Sequence, residues 1–463
     1  MKKHNLFKVI AIFCLVLMLL TWILPTARFQ YSFAMDKRNM MGLFDLVNYP
    51  LQTLSFFSYI FIFALAVGAF YGVLSKTKVY KSLVKKITEG FKNKEYIFLS
   101  IVISLFAVIT STSGLSVGLM FLFPFIIKVI LEMGYDKLTA ATTTVGAVCV
   151  GLIGTTIAGA SVGAINDMLT TKVLGEFWSK AIILIITTII LIYNVLEHAK
   201  KVKKEKVIEL KEETEEIVVK KKSIYPAVFI MDAILILMIL ACISWVDVFG
   251  IKIFAAFLLN LNEFEVFGFN IFRGLLGTVK EFGHWPLANL TSLIVIGTVI
   301  LALCYRVKFD DVIDGVKKGA KKAIIPAILM SLVYTSLIIV TYHPFQLVIY
   351  NFILGLTDGF NLLTTTVVSF IASLFNVEAL YAGQSVLPYL ASIMSKTKML
   401  PLIAIIFQSM YGLVMLVAPT SVILIGTLSY LDISYFEWLK HIWKLFLELL
   451  LILVIIFIIL LLI

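Results

Sequence analysis

Four short stretches of this 463-residue sequence hold the side chains whose types and spacing could do chemistry. Residues Thr110-Ser111-Thr112-Ser113-Gly114, followed by Ser116 and Gly118, put hydroxyls and glycines in the middle of an apolar run. A second polar break runs from Phe375 to Ser385 and contains Asn376, Glu378, Gln384 and Ser385, just before Pro388. GLIGTTIAGASVGAIN (151–166) carries Thr155, Thr156, Ser161 and Asn166 among glycines, and LVAPTSVILIG (416–426) carries Pro419, Thr420 and Ser421. Hydroxyls, amides and interrupted helices are the material of a binding site. Broken helices release backbone carbonyls that can hold a cation, and expose half-helix amino termini that attract a carboxylate, with few charged side chains. Catalytic and metal chemistry find no such material: the five histidines (His4, His198, His284, His343, His441) fall near element ends or loops. The four cysteines (Cys14, Cys149, Cys242, Cys304) sit in apolar blocks without CxxC spacing.

The elements that must position these stretches are set by composition. Hydrophobic residues make up 61% of the chain and charged residues 14%, against roughly 45–50% and about 25% in a soluble domain. The apolar residues run in blocks long enough for a helix to cross a bilayer, which takes about 20 residues. The fold class expected is therefore an all-α polytopic membrane protein. Soluble enzymes, secreted scaffolds and nucleic-acid-binding domains are excluded. Nine blocks are long enough to span: 6–24, 51–75, 138–166, 178–197, 224–244, 287–305, 323–341, 399–429 and 436–463. The first lacks a small-residue cleavage site and is read as a retained helix. Two further stretches, 96–132 and 360–395, have two short apolar legs around a polar break and are read as hairpins.

The net charge of +11 reports orientation first. With the amino terminus in the cytosol, 26 of the 39 basic residues fall on the cytosolic side (near the amino terminus, in 76–95, at Lys137, in 198–223 and in 306–322) and nine on the outer side. That bias matches the positive-inside preference. The mixed-charge run 198–223 is expected to be a solvated cytosolic linker. Lys76–Glu95 and Arg306–Lys322 are expected to be helices lying along the cytosolic interface.

Each half then repeats one order of elements: two spans, a hairpin, an interrupted span and a closing span. The domains expected are a first repeat over 1–197, the linker 198–223, a joining span and external segment over 224–286, and a second, inverted repeat over 287–463. Secondary transporters use this arrangement to alternate access to one site near the midplane. Residues 96–109 make a leg of about 21 Å at 1.5 Å per residue, short of a core of about 30 Å, so the first tip is expected to stop inside the membrane. Two complete spans with an outer loop satisfy the same charge count and stay open as the other reading. Glu378 has the same pair of readings, as an acid at a binding site within the membrane or as a wet loop residue. Asp232, eight residues into its span, reads more simply as a water-reached or paired acid than as a protonation site.

Several stretches resemble a known family: TWILPTARFQ after the first span, LEMGYDKLTAATTTVGAVCVG after the first hairpin, FDDVIDGVKKGAKK before 323–341, and APTSVILIGTLSYLDISYFEWLKHI near the end. They are similar to the anaerobic four-carbon dicarboxylate carriers, and also to the YfcC-like branch with its arginine/ornithine exchangers, both of the ion transporter superfamily. The resemblance covers nearly the whole chain. It implies a scaffold-and-transport-domain carrier, often dimeric, in the plasma membrane, moving substrate by an elevator-like motion. It also implies that the tip at Ser113 and Gly114 and the break at Pro419, Thr420 and Ser421 form the site. Two departures stand out. The family commonly shows an acidic pair where this chain has Val117 and Gly118, and a serine-rich second tip where this chain has Glu378. A membrane acid beside the site disfavours a dianion and suits a cationic amino acid or a bound proton.

The expected function is thus secondary transport of a small carboxylate-bearing metabolite, a dicarboxylate or an amino acid, with a basic amino acid exchanger as the alternative and a membrane enzyme or channel behind both. No cofactor is expected beyond a proton or sodium as coupling ion. The expected partners are the small-molecule substrate, the lipid bilayer and a second copy of the chain, with no nucleic acid.

Overall fold

The computed structural model describes residues 2–30, 32–202, 223–283, 285–357, 359–393 and 399–462. Among them, eight helices are long and apolar enough to cross a membrane: Asn5–Ile23, Ser58–Lys76, Glu95–Ser113, Phe177–Lys201, Tyr225–Cys242, Leu287–Cys304, Phe309–Tyr342 and Tyr435–Leu462. Strand structure among the described residues is confined to two short antiparallel pairs, Ala27–Phe29 with Phe33–Met35 and Glu265–Val266 with Phe269–Asn270. The protein is an all-α polytopic membrane fold.

Both interrupted spans are broken where the glycines and the proline stand. The first runs Lys137–Ala141, a π-helical turn Thr142–Gly146, and Ala147–Ile153, then resumes as Gly159–Met168. The second runs Leu400–Val414 and resumes as Val422–Leu431. The second hairpin has legs Leu362–Phe375 and Ala379–Ile393 around an extended Asn376.

Three expectations need revision. The first leg of the first hairpin is Glu95–Ser113, 19 residues, or about 28 Å, so it is not short. Its polar end stays helical because Thr112 and Ser113 donate to carbonyls four residues back, at Val108 (2.8 Å) and Ile109 (2.6 Å). It stops only at Gly114, whose φ of 71° suits glycine. The block 51–75 is two helices, Asp45–Phe56 and Ser58–Lys76, which meet at Phe57.

The third revision concerns 306–322, which is not a separate interfacial helix. It is the first half of Phe309–Leu332, which leads to the next helix, Thr335–Tyr342. Its lysines occupy one face while Gly315 and Gly319 on the other meet Gly68 and Gly72 of Ser58–Lys76, backbone against backbone. Small residues four apart let membrane helices approach this closely, and Lys76 pairs with Asp314 at the end of the crossing. The Val79–Gly90 helix does lie amphipathically, burying Val79, Leu83 and Val84. The proposed linker falls almost wholly in 203–222, outside the described residues, as does His284.

Candidate functional site

The first tip and the first broken span are stitched together. Ser111 Oγ donates to the Gly154 carbonyl (2.6 Å), lies 3.0 Å from Thr156 Oγ1 and accepts from the Thr156 amide (3.2 Å). The Thr156 amide and hydroxyl both reach the Ser111 carbonyl as well, at 3.0 and 3.1 Å. Thr155 turns back to cap its own helix at Leu152 O (2.5 Å). Thr110, Ser111, Ser113, Thr155 and Thr156 are all buried, so this tip is packed in protein whatever its depth. A Cβ on Gly114 would meet Ala158 at 3.4 Å.

The second pair repeats the device with different residues. Thr420 Oγ1 donates to Leu374 O (3.1 Å), at the end of the hairpin's first leg. Ser421 caps the resumed helix by accepting from the Leu424 amide (3.4 Å). Asn376 donates to Ala372 O (2.8 Å), and Tyr411 donates to Val377 O (2.8 Å). Carbonyls in the break itself are also taken: Val417 O by Tyr435, and Leu416 O by Trp438 Nε1 at 2.8 Å. Capping by hydroxyl and indole donors replaces the free carbonyls expected from the sequence.

The two broken spans cross each other. Ser409 Oγ donates to Ile153 O (3.0 Å), and a Cβ on Gly412 would lie 2.2 Å from the Ile153 amide nitrogen. Gly383 of the second hairpin packs near Ile165 of the first resumed helix. Both tips and both breaks are thereby gathered in one locus. Asn166 lies at its margin, donating to Val162 O (2.8 Å) and accepting from Thr171 (2.7 Å), so its amide closes a helix end. Gln384 is exposed, Ser385 donates to Ala382 O (2.7 Å), and Ser161 lies on Gly159–Met168 with its side chain outside the described set.

Glu378 stands at the start of Ala379–Ile393, where its own carbonyl accepts the first helical bond, from Ala382 (3.1 Å). A carboxylate there faces the positive end of the helix. Its Oε1 accepts a 2.6 Å hydrogen bond from Tyr334, a fully buried tyrosine at the junction of Phe309–Leu332 and Thr335–Tyr342. Phe57, at the junction of Asp45–Phe56 and Ser58–Lys76, stacks on Tyr334 with centroids 4.3 Å apart. Tyr59, Tyr381 and Tyr411 lie within electrostatic range of the carboxylate. Glu378 is thus half-buried and held by Tyr334. Asp232, by contrast, is exposed on the outside of Tyr225–Cys242. No grouping of three metal-ligating side chains exists among the described residues, and the four cysteines are free thiols.

Sequence reasoning missed the tyrosines and Gln408. Tyr334 carries no signal alone, because its role depends on a partner 44 residues away. Gln408 had one: an amide in the apolar run 399–414. It is buried, one turn from Tyr411 and Gly412, and neither its Oε1 nor its Nε2 has a partner. A buried amide without a partner is destabilising by about 1–3 kcal/mol. Gln408→Leu is therefore expected to leave the melting temperature unchanged or raise it. Ser111→Ala, which strands Gly154 O and the Thr156 contacts, is expected to lower stability by about 1–3 kcal/mol. Thermal melts of the two variants side by side check both signs.

No curated protein matches the sequence significantly. Among solved structures, the chain is similar to the Alcanivorax borkumensis YdaH transporter at 13% identity, over 98% of this chain and 97% of that one, with a TM-score of 0.42. Residues 4–463 match the family described as DcuC, C4-dicarboxylate anaerobic carrier. The chain belongs to that C4-dicarboxylate anaerobic carrier family.

Proposed function

We propose that this protein is a secondary active carrier of C4-dicarboxylates in the plasma membrane, with its amino terminus in the cytosol. The observation that carries the reading is the meeting of two hairpin tips and two helix breaks in one polar locus, in a chain of this family. The two halves act as an inverted repeat of one element order. The hairpins and broken spans move as a body against the scaffold made by Ser58–Lys76 and Phe309–Tyr342, and two copies pair through their scaffolds. Substrate carboxylates are held by backbone amides at the starts of Gly159–Met168 and Val422–Leu431. Glu378 takes a proton when a dianion enters, because two carboxylates and a third acid cannot share a dry site while all are charged. A proton is then the coupling ion.

The second reading is a basic amino acid exchanger of the arginine/ornithine type, as in the YfcC-like branch. It is favoured by the fixed Glu378 carboxylate and its tyrosine surround, which suit a cationic side chain. A thermal-shift series with succinate, fumarate, arginine and ornithine separates the two. A ligand at 100 times its Kd adds about 2.7 kcal/mol to the folded state, so stabilisation by succinate or fumarate alone is expected. Stabilisation by arginine or ornithine alone supports the second reading, and no flux of any of the four into proteoliposomes removes both.

A further inference from the structure

Away from the substrate locus, the start of the first broken span is held by two histidines from two other helices. Asp136 caps Lys137–Ala141 by accepting from the Thr139 amide (2.9 Å) and hydroxyl, and its second oxygen lies 3.2 Å from His198 Nε2. Six residues on, Thr142 Oγ1 lies 2.8 Å from His441 Nε2. His198 belongs to Phe177–Lys201 and His441 to Tyr435–Leu462. Their rings meet edge to face, centroids 4.5 Å apart. Beside them opens a cavity of about 130 Å³ whose lining includes Thr142, Asn194, Glu197, His198, Lys201 and His441.

The hydrogen-bond directions fix where protons can go. Thr142 spends its single hydroxyl hydrogen on Leu138 O (2.8 Å), so toward His441 its oxygen accepts and Nε2 carries the hydrogen. Nδ1 of neutral His441 is then the open acceptor. His198 likewise donates from Nε2 to Asp136 and keeps Nδ1 for a proton. The other charges facing the pair are matched among themselves: Glu197 with Lys201 and Lys444, and Glu448 with Lys444 (3.7 Å) and Asn194 (2.7 Å). Among the described residues, Asp136 is the carboxylate in contact with the imidazole pair.

We propose that His198 and His441 form a proton-binding site, and that its second proton releases the start of the first broken span. The first proton resides on either ring and is balanced by Asp136. The second, arriving from solvent through the cavity, puts two imidazolium charges in contact with one counter-charge. Like charges at that distance in a partly dry site repel strongly. The ring without a carboxylate, His441, leaves Thr142. Thr142 opens the π-helical turn Thr142–Gly146, which leads directly to the helix ending at Ile153. π-helical turns are frequent at functional sites, and this one loses its outer pin. Acidification on this side thus loosens the approach to the substrate locus.

Asp136 is not the sensor. Burial would raise its carboxyl, but the hydrogen bonds from His198 and Thr139 outweigh that and hold it down at about 2. A depressed acid contributes stability that is complete above its ordinary value and lost only as pH falls through the depressed one. Between pH 4 and 8 it stays a carboxylate throughout.

Hydrogen–deuterium exchange on the purified full-length protein in detergent tests the site without any substrate. Exchange in peptides spanning 133–146 is compared at pH 7.5 and 4.0, with times scaled for the intrinsic pH dependence of the reaction. The parent is expected to exchange at least fivefold faster at pH 4.0 after scaling. His441→Gln, whose amide can donate to Thr142 but cannot take a proton, should show no pH difference. His198→Gln should behave alike and serves where His441→Gln melts early. Equal scaled rates in the parent at the two pH values, or the same acceleration in both glutamine variants, would overturn the proposal.

Discussion

Glu378→Gln is expected to abolish proton-driven accumulation while leaving exchange of the same substrate across the membrane. Glutamine keeps the size of the side chain and can still accept from Tyr334, but it cannot carry a proton. In proteoliposomes with an inward proton gradient, accumulation should fall at least about tenfold, the effect of losing roughly 1.4 kcal/mol of coupling, and counterflow should persist. Tyr334→Phe removes the 2.6 Å hydrogen bond itself. Bonds to charged groups contribute about 1.5–3 kcal/mol, so this variant should change transport by about tenfold or more. The double variant should add little to Glu378→Gln, because the two residues act as one unit. Parent-like accumulation by Glu378→Gln would remove the acid from the transport cycle, and loss of arginine uptake alone would support the exchanger reading.

Gly319→Leu is expected to prevent folding. A Cβ at Gly319 would lie 2.0 Å from the Gly68 carbonyl oxygen, and one at Gly72 would lie 2.0 Å from that of Gly315. Overpacking a core usually costs about 1–3 kcal/mol because side chains can rotate aside. Here the obstacle is backbone on both sides and cannot rotate, so the helices must separate. Gly90→Ala is the matched control. Nothing lies within 4 Å of its Cβ, and alanine in a helix is favoured over glycine by about 0.5–1 kcal/mol. Recovery of monodisperse protein and its melting temperature should be lost in the first variant and kept or raised in the second.

What could be read in the sequence follows from the range of the interactions that decide each feature. The all-α membrane fold and the two helix breaks were legible, because apolar run length, the glycines of 151–163 and Pro419 act locally. The identity of the site residues was legible only by neighbourhood. Ser111 and Thr156 do meet, but the same letters would fit hydroxyls facing a ligand, and the structure turns them on each other. The Arg306–Lys322 stretch was misread because its lysines report one face of a helix, while Gly315 and Gly319 find their meaning in glycines nearly 250 positions away. The length of Glu95–Ser113 was underestimated because threonine and serine at a helix end resemble a turn until their hydroxyls are seen to bond backward. Tyr334 was out of reach for the same reason as the glycine crossing.

The capped breaks bear on the insulating quality of the protein. A helix interrupted inside a bilayer invites water to solvate its loose peptide groups, and a file of such water conducts protons and small ions. Here Ser111, Ser409, Tyr435 and Trp438 occupy those carbonyls from neighbouring elements, so the gaps are filled by protein and need no water. A carrier built this way is expected to hold the gradients across its membrane against short circuit. Proteoliposomes bearing the empty protein should be as tight to protons as bare lipid, and Trp438→Ala, which uncovers Leu416 O, should make them leak.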